Sequence, residues 1–511
     1  MKRILAMLLA VFAALSLTAC GSADTARDST LVYGSGDYTS INPIMNEHCE
    51  IKHLLFDGLV KRDGEGGLAA NLAESWSYDA ETLTYTFRLR ENVRWHDGER
   101  FTAEDVKFTI EAIMDPANGS ENYPNYAEVS EIRILSDTEV AFVLSEPNFA
   151  FLDYMTMSIL PEHRLRGEDM WESDFFKAPV GTGPYRLQSW DAGQAITLVK
   201  NEDYFDGTAN IDTVIFKIVT DDAAKALQLR SGELDLAQVT PKDAVSLQDA
   251  EGLELFNMAT ADYRGILYNF RNPFWQENAD LIPAISLCID RQAIVDAVLL
   301  GKGFSAYSPI QRNRYNYDGA ERYEYDPVRA ADSFKAAGCE KDGEGFWCRE
   351  GRRIGFTVNA SPGDQVRIDM ARIVAQQLRE AGLEVTAQVP AEGIDWGGQE
   401  CCIIGWGSPF DADDHTYKVF GTGMDANYSG YSNPEVDKYL KLARQTEDDA
   451  QRAEYYRQFQ IALAEAPAYT FLCYIDAVFA ASSNIQGIDR DTVLGHHGVG
   501  LFWNITQWTL S

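Results

Sequence analysis

The chain has 511 residues, 45% hydrophobic and 12% aromatic, which supports a large folded core and excludes general disorder. Its 78 acidic residues against 44 lysines and arginines give a formal net charge of −34, a surface that repels nucleic acid and anionic lipid headgroups. At several times the roughly 100–150 residues of one domain, it is expected to divide into two or three lobes.

At the N-terminus, Lys2-Arg3, an apolar run from Ile4 to Leu15 and then Leu17-Thr18-Ala19-Cys20 read as a secretory signal closing on a lipidation site. The run is too short for a permanent membrane helix, and the small residue before the cysteine suits a peptidase cutting there. Residues 1–19 are expected to be removed. The motif resembles the bacterial lipobox, which implies that Cys20 becomes an acylated N-terminus outside the cytoplasm. Residues 20–30 lack apolar periodicity and read as a tether. No later stretch approaches the roughly 20 uncharged apolar residues of a membrane span, so lipid alone is expected to hold the chain to its membrane.

From Leu31 the pattern mixes strands and helices. Leu83 to Leu89 alternates as a half-buried strand, and Thr102-Ala103-Glu104-Asp105 opens a helix with a hydroxyl cap and early acids. These belong to an expected α+β subdomain at about 70–180. Ile211 to Ile218 reads as a strand, and helical periodicity from Ala223 to Leu229 stops at Ser231-Gly232. Val366, Met370, Ile373, Val374 and Leu378 recur at helical spacing, Gly382 marks the stop, and Leu383 to Ala387 follows as a strand. Cys401-Cys402-Ile403-Ile404 reads as a buried strand, a helix pattern runs from Pro434 to Ala466, and the last stretch is rich in strands and turns.

Seven cysteines remain besides Cys20. Cys339 and Cys348 flank Asp-Gly and Glu-Gly pairs that suit a hairpin, and they read either as the best disulfide candidate or as two free thiols on a loop. Cys401 and Cys402, adjacent on a strand, point to opposite faces and are not expected to pair with each other. Catalytic signatures are absent: there is no Gly-x-Ser-x-Gly, His-Glu-x-x-His, phosphate loop or Cys-x-x-Cys, and no cofactor is expected. Pro184 removes an amide that Gly181-Thr182-Gly183 would need as a phosphate cradle, so that segment reads as a structural turn.

Several segments in order, among them Leu72-Ala73-Glu74-Ser75-Trp76, Trp95-His96-Asp97-Gly98, Gly181-Thr182-Gly183-Pro184-Tyr185, Ser231-Gly232-Glu233-Leu234-Asp235, Ile289-Asp290-Arg291 and Tyr431-Ser432-Asn433-Pro434, resemble the extracytoplasmic solute-binding proteins of ABC importers that take up peptides and nickel. The resemblance implies an α/β, two-lobed clamp of the type II periplasmic-binding-protein class with an extra α+β subdomain on the first lobe. The first lobe is expected over 31–267, the second over 268–475, and a C-terminal return to the first over 476–511, with crossovers near Tyr268-Asn269 and Tyr474–Val478. It implies a monomeric, non-enzymatic receptor that hands its ligand to permease subunits driven by cytoplasmic ATPases.

By the same resemblance, Trp406 forms a pocket wall, and Asp411, then Asp413, pairs with a peptide's ammonium group, since a desolvated ammonium needs a carboxylate. Asn46, Glu47, His48, Tyr123, Tyr126, His496 and His497 are expected to face the same cleft. The spacing of Trp406-Gly407-Ser408-Pro409-Phe410-Asp411 is nearer that of nickel-binding relatives, and His48, His415, His496 and His497 would then make a metal or metal-chelate site. Those relatives carry an arginine where the stretch Tyr154 to Pro161 has methionine. Peptides are therefore the first substrate class, a nickel or metal chelate the second, with an extracytoplasmic hydrolase or ligand sensor as readings of other classes.

Overall fold

The computed structural model describes residues 29–45, 49–63 and 67–511. The signal and tether through residue 28, Cys20, and the turn Asn46-Glu47-His48 lie outside the described residues.

The backbone of the fold is an 11-stranded mixed sheet in which two long antiparallel strands, Leu253–Tyr268 and Tyr469–Ser482, run side by side through both halves. On one side they meet Leu236–Val239, Thr30–Ser35, Thr213–Ile218, Ala195–Lys200 and Tyr185–Asp191; on the other they meet Cys401–Trp406, Gly355–Asn359 and Glu384–Gln388. Their mutual register breaks between Ala259 and Tyr263. The cores change owner at the same place. Met258, Ala477 and Phe479 pack with the first lobe, whereas Tyr263 and Tyr474 pack with the second. The strands thus pass from one core to the other over 259–262 and 475–476. The first lies ahead of the expected Tyr268-Asn269, because Tyr263 to Tyr268 already pairs with Trp406 to Cys401 inside the second lobe.

The first lobe carries a four-stranded antiparallel sheet, Ala73–Asp79, Thr84–Leu89, Glu139–Leu144 and Val129–Ser136 in spatial order, covered by the helix Ala103–Met114. That helix begins where Thr102 and Asp105 cap each other reciprocally, as the hydroxyl and early acids predict. In the second lobe Gly355–Asn359 and Glu384–Gln388 are parallel and joined by the helix Gln365–Glu380, which ends with Gly382 at φ +97°.

Two local expectations are corrected. The pattern from Pro434 to Ala466 is two helices, Pro434–Arg444 and Asp449–Glu465, because the Asp448 side chain accepts the Gln451 N–H at 2.8 Å and starts a new one. Cys339 and Cys348 are free thiols: strand register sets Cys348 opposite Glu340, and neighbours on a strand face opposite ways. Cys401 and Cys402 are likewise free and buried.

Gly181 and Gly183 justify the structural reading of their turn. A Cβ on Gly181 would lie 1.7 Å from the Leu55 carbonyl oxygen, and one on Gly183 would lie 2.5 Å from that of Leu54. No helix among the described residues is long and apolar enough to cross a membrane.

Candidate functional site

A cavity of about 270 Å³ lies between the lobes. The first lobe supplies Phe56, Arg62, Tyr126, Asp153 and Met157; the second supplies Ser408 to Phe410 and His415; the C-terminal return closes one end with His496 and Trp503. A chamber of about 480 Å³ adjoins it and shares Arg62, Asp153, Phe410 and His415.

Asp153 stands on the one-turn helix Phe151–Tyr154, whose flanking aromatics are buried in the first-lobe core, leaving the carboxylate half-buried at the cavity. It has no side-chain hydrogen bond or ion pair among the described residues. Burial, with Asp411 nearby, pushes it up to about 7 from 3.8, against the pull of Arg62 and Arg452. Arg62 reaches across the cleft to the Pro409 carbonyl, and its guanidinium carbon lies 4.3 Å from the centre of the Phe410 ring. Burial lowers it to about 10, still charged at neutral pH. One cavity therefore presents an uncommitted carboxylate and a partly committed guanidinium, the two charges that a zwitterion needs.

At the far end, His496 Nδ1 lies 2.7 Å from Oδ1 of the fully buried Asp262, which also pairs with Arg264 and accepts the His497 N–H at 3.1 Å. Burial alone would raise Asp262, but Arg264 and His496 outweigh it and hold the carboxyl well below the usual range. Burial keeps His496 neutral, well below the ordinary imidazole value. With Nδ1 set against the carboxylate, Nε2 is the ring nitrogen left to meet a cation. Potential ligand atoms of Asp262, His496 and exposed His497 lie within 4.8 Å of one another. His415 is set the other way: its Nδ1 accepts the Gly407 N–H at 3.0 Å, so its neutral ring carries the proton on Nε2.

Tyr126 lines the cavity and donates its hydroxyl to the Tyr154 carbonyl at 2.6 Å, but Tyr123 is 41% exposed and lies off it. Trp406 stands one layer behind the wall, 5.6 Å from the His415 ring and 6.5 Å from that of His496. Asp411, expected to await an ammonium group, lines the adjoining chamber with both oxygens held by Arg452, at 2.5 and 2.6 Å, and both side chains nearly buried. Asp413 is likewise committed, to Arg444 at 2.5 Å and to the Tyr154 hydroxyl. Of the four histidines expected together, His415 and His496 reach the cavity and His497 adjoins His496.

Arg62 and Asp153 were not singled out from sequence. One signal for Asp153 was present, a lone carboxylate inside the apolar stretch Phe149 to Leu160.

The comparisons with known proteins agree with this architecture. Residues 67–428 match the family model for bacterial extracellular solute-binding proteins, family 5. The oligopeptide-binding protein AppA of Bacillus subtilis is 28% identical over 99% of this chain and 97% of its own length, and protein XP55 of Streptomyces lividans is 30% identical over 91% and 86%. Among solved structures, NikZ of Campylobacter jejuni in complex with Ni(L-His) aligns at a TM-score of 0.88 and 32% identity, covering 94% of this chain and 99% of that one. The AppA structure, in complex with a nonapeptide, aligns at 0.82 and 28%, with coverages of 94% and 99%. The chain belongs to the bacterial extracellular solute-binding proteins of family 5.

Proposed function

We propose that this protein captures short peptides outside the cell and delivers them to ABC permease subunits driven by cytoplasmic ATPases. The observation that carries the reading is the pairing of Asp153 and Arg62 on one cavity between two lobes. Asp153 takes over the role expected of Asp411, receiving the α-ammonium group, and Arg62 meets a carboxylate. The cavity and its neighbouring chamber fall in the size range of small-ligand sites, room for a few residues rather than a long chain. The chain acts as a monomer without a cofactor, exported by residues 1–19 and held to the membrane by lipid on Cys20.

A second reading, capture of nickel or another metal chelated by amino acids, is favoured by the Asp262–His496–His497 cluster at the end of the same cavity. Nickel would then be cargo, with His496 as the protein's ligand and the chelator's carboxylate on Arg62. That guanidinium supplies the positive charge that the methionine stretch lacks.

Mass spectrometry of small molecules released by denaturing protein purified from cells that export it tests the reading. Short peptides, recovered unmodified after prolonged incubation with fresh protein, are the expected result. Cleaved peptides would indicate a hydrolase, and a metal–amino-acid complex would select the second reading.

A further inference from the structure

Arg444 and Asp413 both belong to the second lobe, yet their side chains are only 3% and 0% exposed because the first lobe covers them. Across this seam the Tyr154 hydroxyl donates to Asp413, Arg444 Nη1 donates to Glu128 Oε1 at 2.9 Å and to the Pro124 carbonyl at 3.3 Å, and the Phe149 N–H donates to the Arg444 carbonyl at 2.8 Å. Within the second lobe the Arg444 guanidinium is stacked 3.6 Å over Tyr417. Arg444, Asp413 and Glu128 are not part of the cavity wall.

A buried ion pair is stable only when its remaining donors and acceptors are satisfied; here, part of that satisfaction comes from the opposite lobe. With the lobes apart, water would take those places. With the lobes together, the pair is dry, and Tyr154, Glu128 and Pro124 are the groups that replace the water.

We infer that Asp413 and Arg444, together with Tyr154 and Glu128, form a closure latch that sets the balance between closed and open clamp for any ligand the cavity holds. Asp413, Arg444 and Glu128 do not touch the cavity, and Tyr154, which lines it, turns its hydroxyl away to Asp413. The latch acts on affinity through the population of the closed state, and it turns Asp413 from an expected ligand partner into a partner of the opposite lobe.

Cross-link trapping reads this even where the closed state is a minor one. Gln445 Nε2 donates to Glu146 Oε2 at 2.5 Å across the same seam, so the thiols of Glu146→Cys with Gln445→Cys come within the span of a short bis-maleimide only when the lobes meet. In the full-length exported protein without added ligand, that pair is expected to be bridged by the bis-maleimide, with the cross-link located by peptide mapping. Adding Glu128→Gln and Tyr154→Phe removes one charge-assisted bond and weakens another, and trapping is expected to slow at least tenfold while the melting temperature stays within about 2 °C. An unchanged trapping rate would overturn the latch. So would a failure of the pair to cross-link at all, since the seam would then never form, or a slowdown that tracks a lowered melting temperature, since the residues would then serve folding.

Discussion

Replacing Asp153 by asparagine should make the ligand-free protein more stable and the ligand-bound protein harder to form. The carboxyl titrates near 7 in the folded chain against 3.8 as its ordinary value, with burial as the main cause and Asp411 second. Below 3.8 it is protonated whether the chain is folded or not, and it does not affect stability. Between 3.8 and about 7 the unfolded chain is already ionised while the folded one retains its proton, so stability falls as pH rises; above 7 the penalty is complete. At about 1.4 kcal/mol per pH unit the ceiling is roughly 4 kcal/mol, and solvent reaching the half-buried side chain through the cavity reduces it to about 2. Asp153→Asn, carrying no charge, should therefore melt about 4–8 °C higher than the parent at pH 8, with the gap closing towards pH 4. The same substitution removes a charge-assisted bond to a ligand ammonium and should weaken peptide binding about 30-fold or more. Scanning calorimetry from pH 4 to pH 8, with titration calorimetry at pH 8, reads both. An asparagine variant that is less stable at pH 8, or whose difference from the parent is independent of pH, would show that Asp153 is held by a partner in the folded protein and would refute its role at the cavity.

Asp411→Asn should behave in the opposite way, because it leaves Arg452 buried without its carboxylate: a loss of about 3 kcal/mol or more is expected, seen as a lower urea midpoint, with peptide affinity per folded molecule largely retained. Unchanged stability with lost affinity would return Asp411 to the ligand. Gly181→Ala should destabilise the first lobe by more than about 2 kcal/mol in the same urea assay, since its Cβ would overlap the Leu55 carbonyl, and an unaffected midpoint would show that the turn can move away. Cys20→Ala should leave the protein as uncleaved precursor or release it from membranes, and a variant that still fractionates as a mature, membrane-bound lipoprotein would exclude lipidation there.

What the sequence made legible was local. Thr102 with Asp105, Gly382 after its helix and the alternation from Leu83 to Leu89 act within a few residues, and each appears in the fold where its pattern places it. The charged partners of the site are not local. Arg452 lies 41 residues beyond Asp411 on another helix, and Arg444 lies 31 beyond Asp413, so two acids on a Pro/Asp-rich loop looked available when both were already paired. Asp153 and Arg62 come together only through the tertiary fold, one on a single helical turn and the other at a strand end. The break at Asp448 was readable in principle, because the acidic run Glu447-Asp448-Asp449 is a helix start, but the apolar periodicity on both sides masked it.

Titration calorimetry of the full-length protein with a defined tripeptide and its N-acetylated form asks whether the cavity recognises the free ammonium group of a short peptide. The free tripeptide should bind and the acetylated one should bind at least about 30-fold more weakly. Equal binding of the two, or binding of nickel–histidine alone that a strong chelator abolishes, would contradict the peptide account.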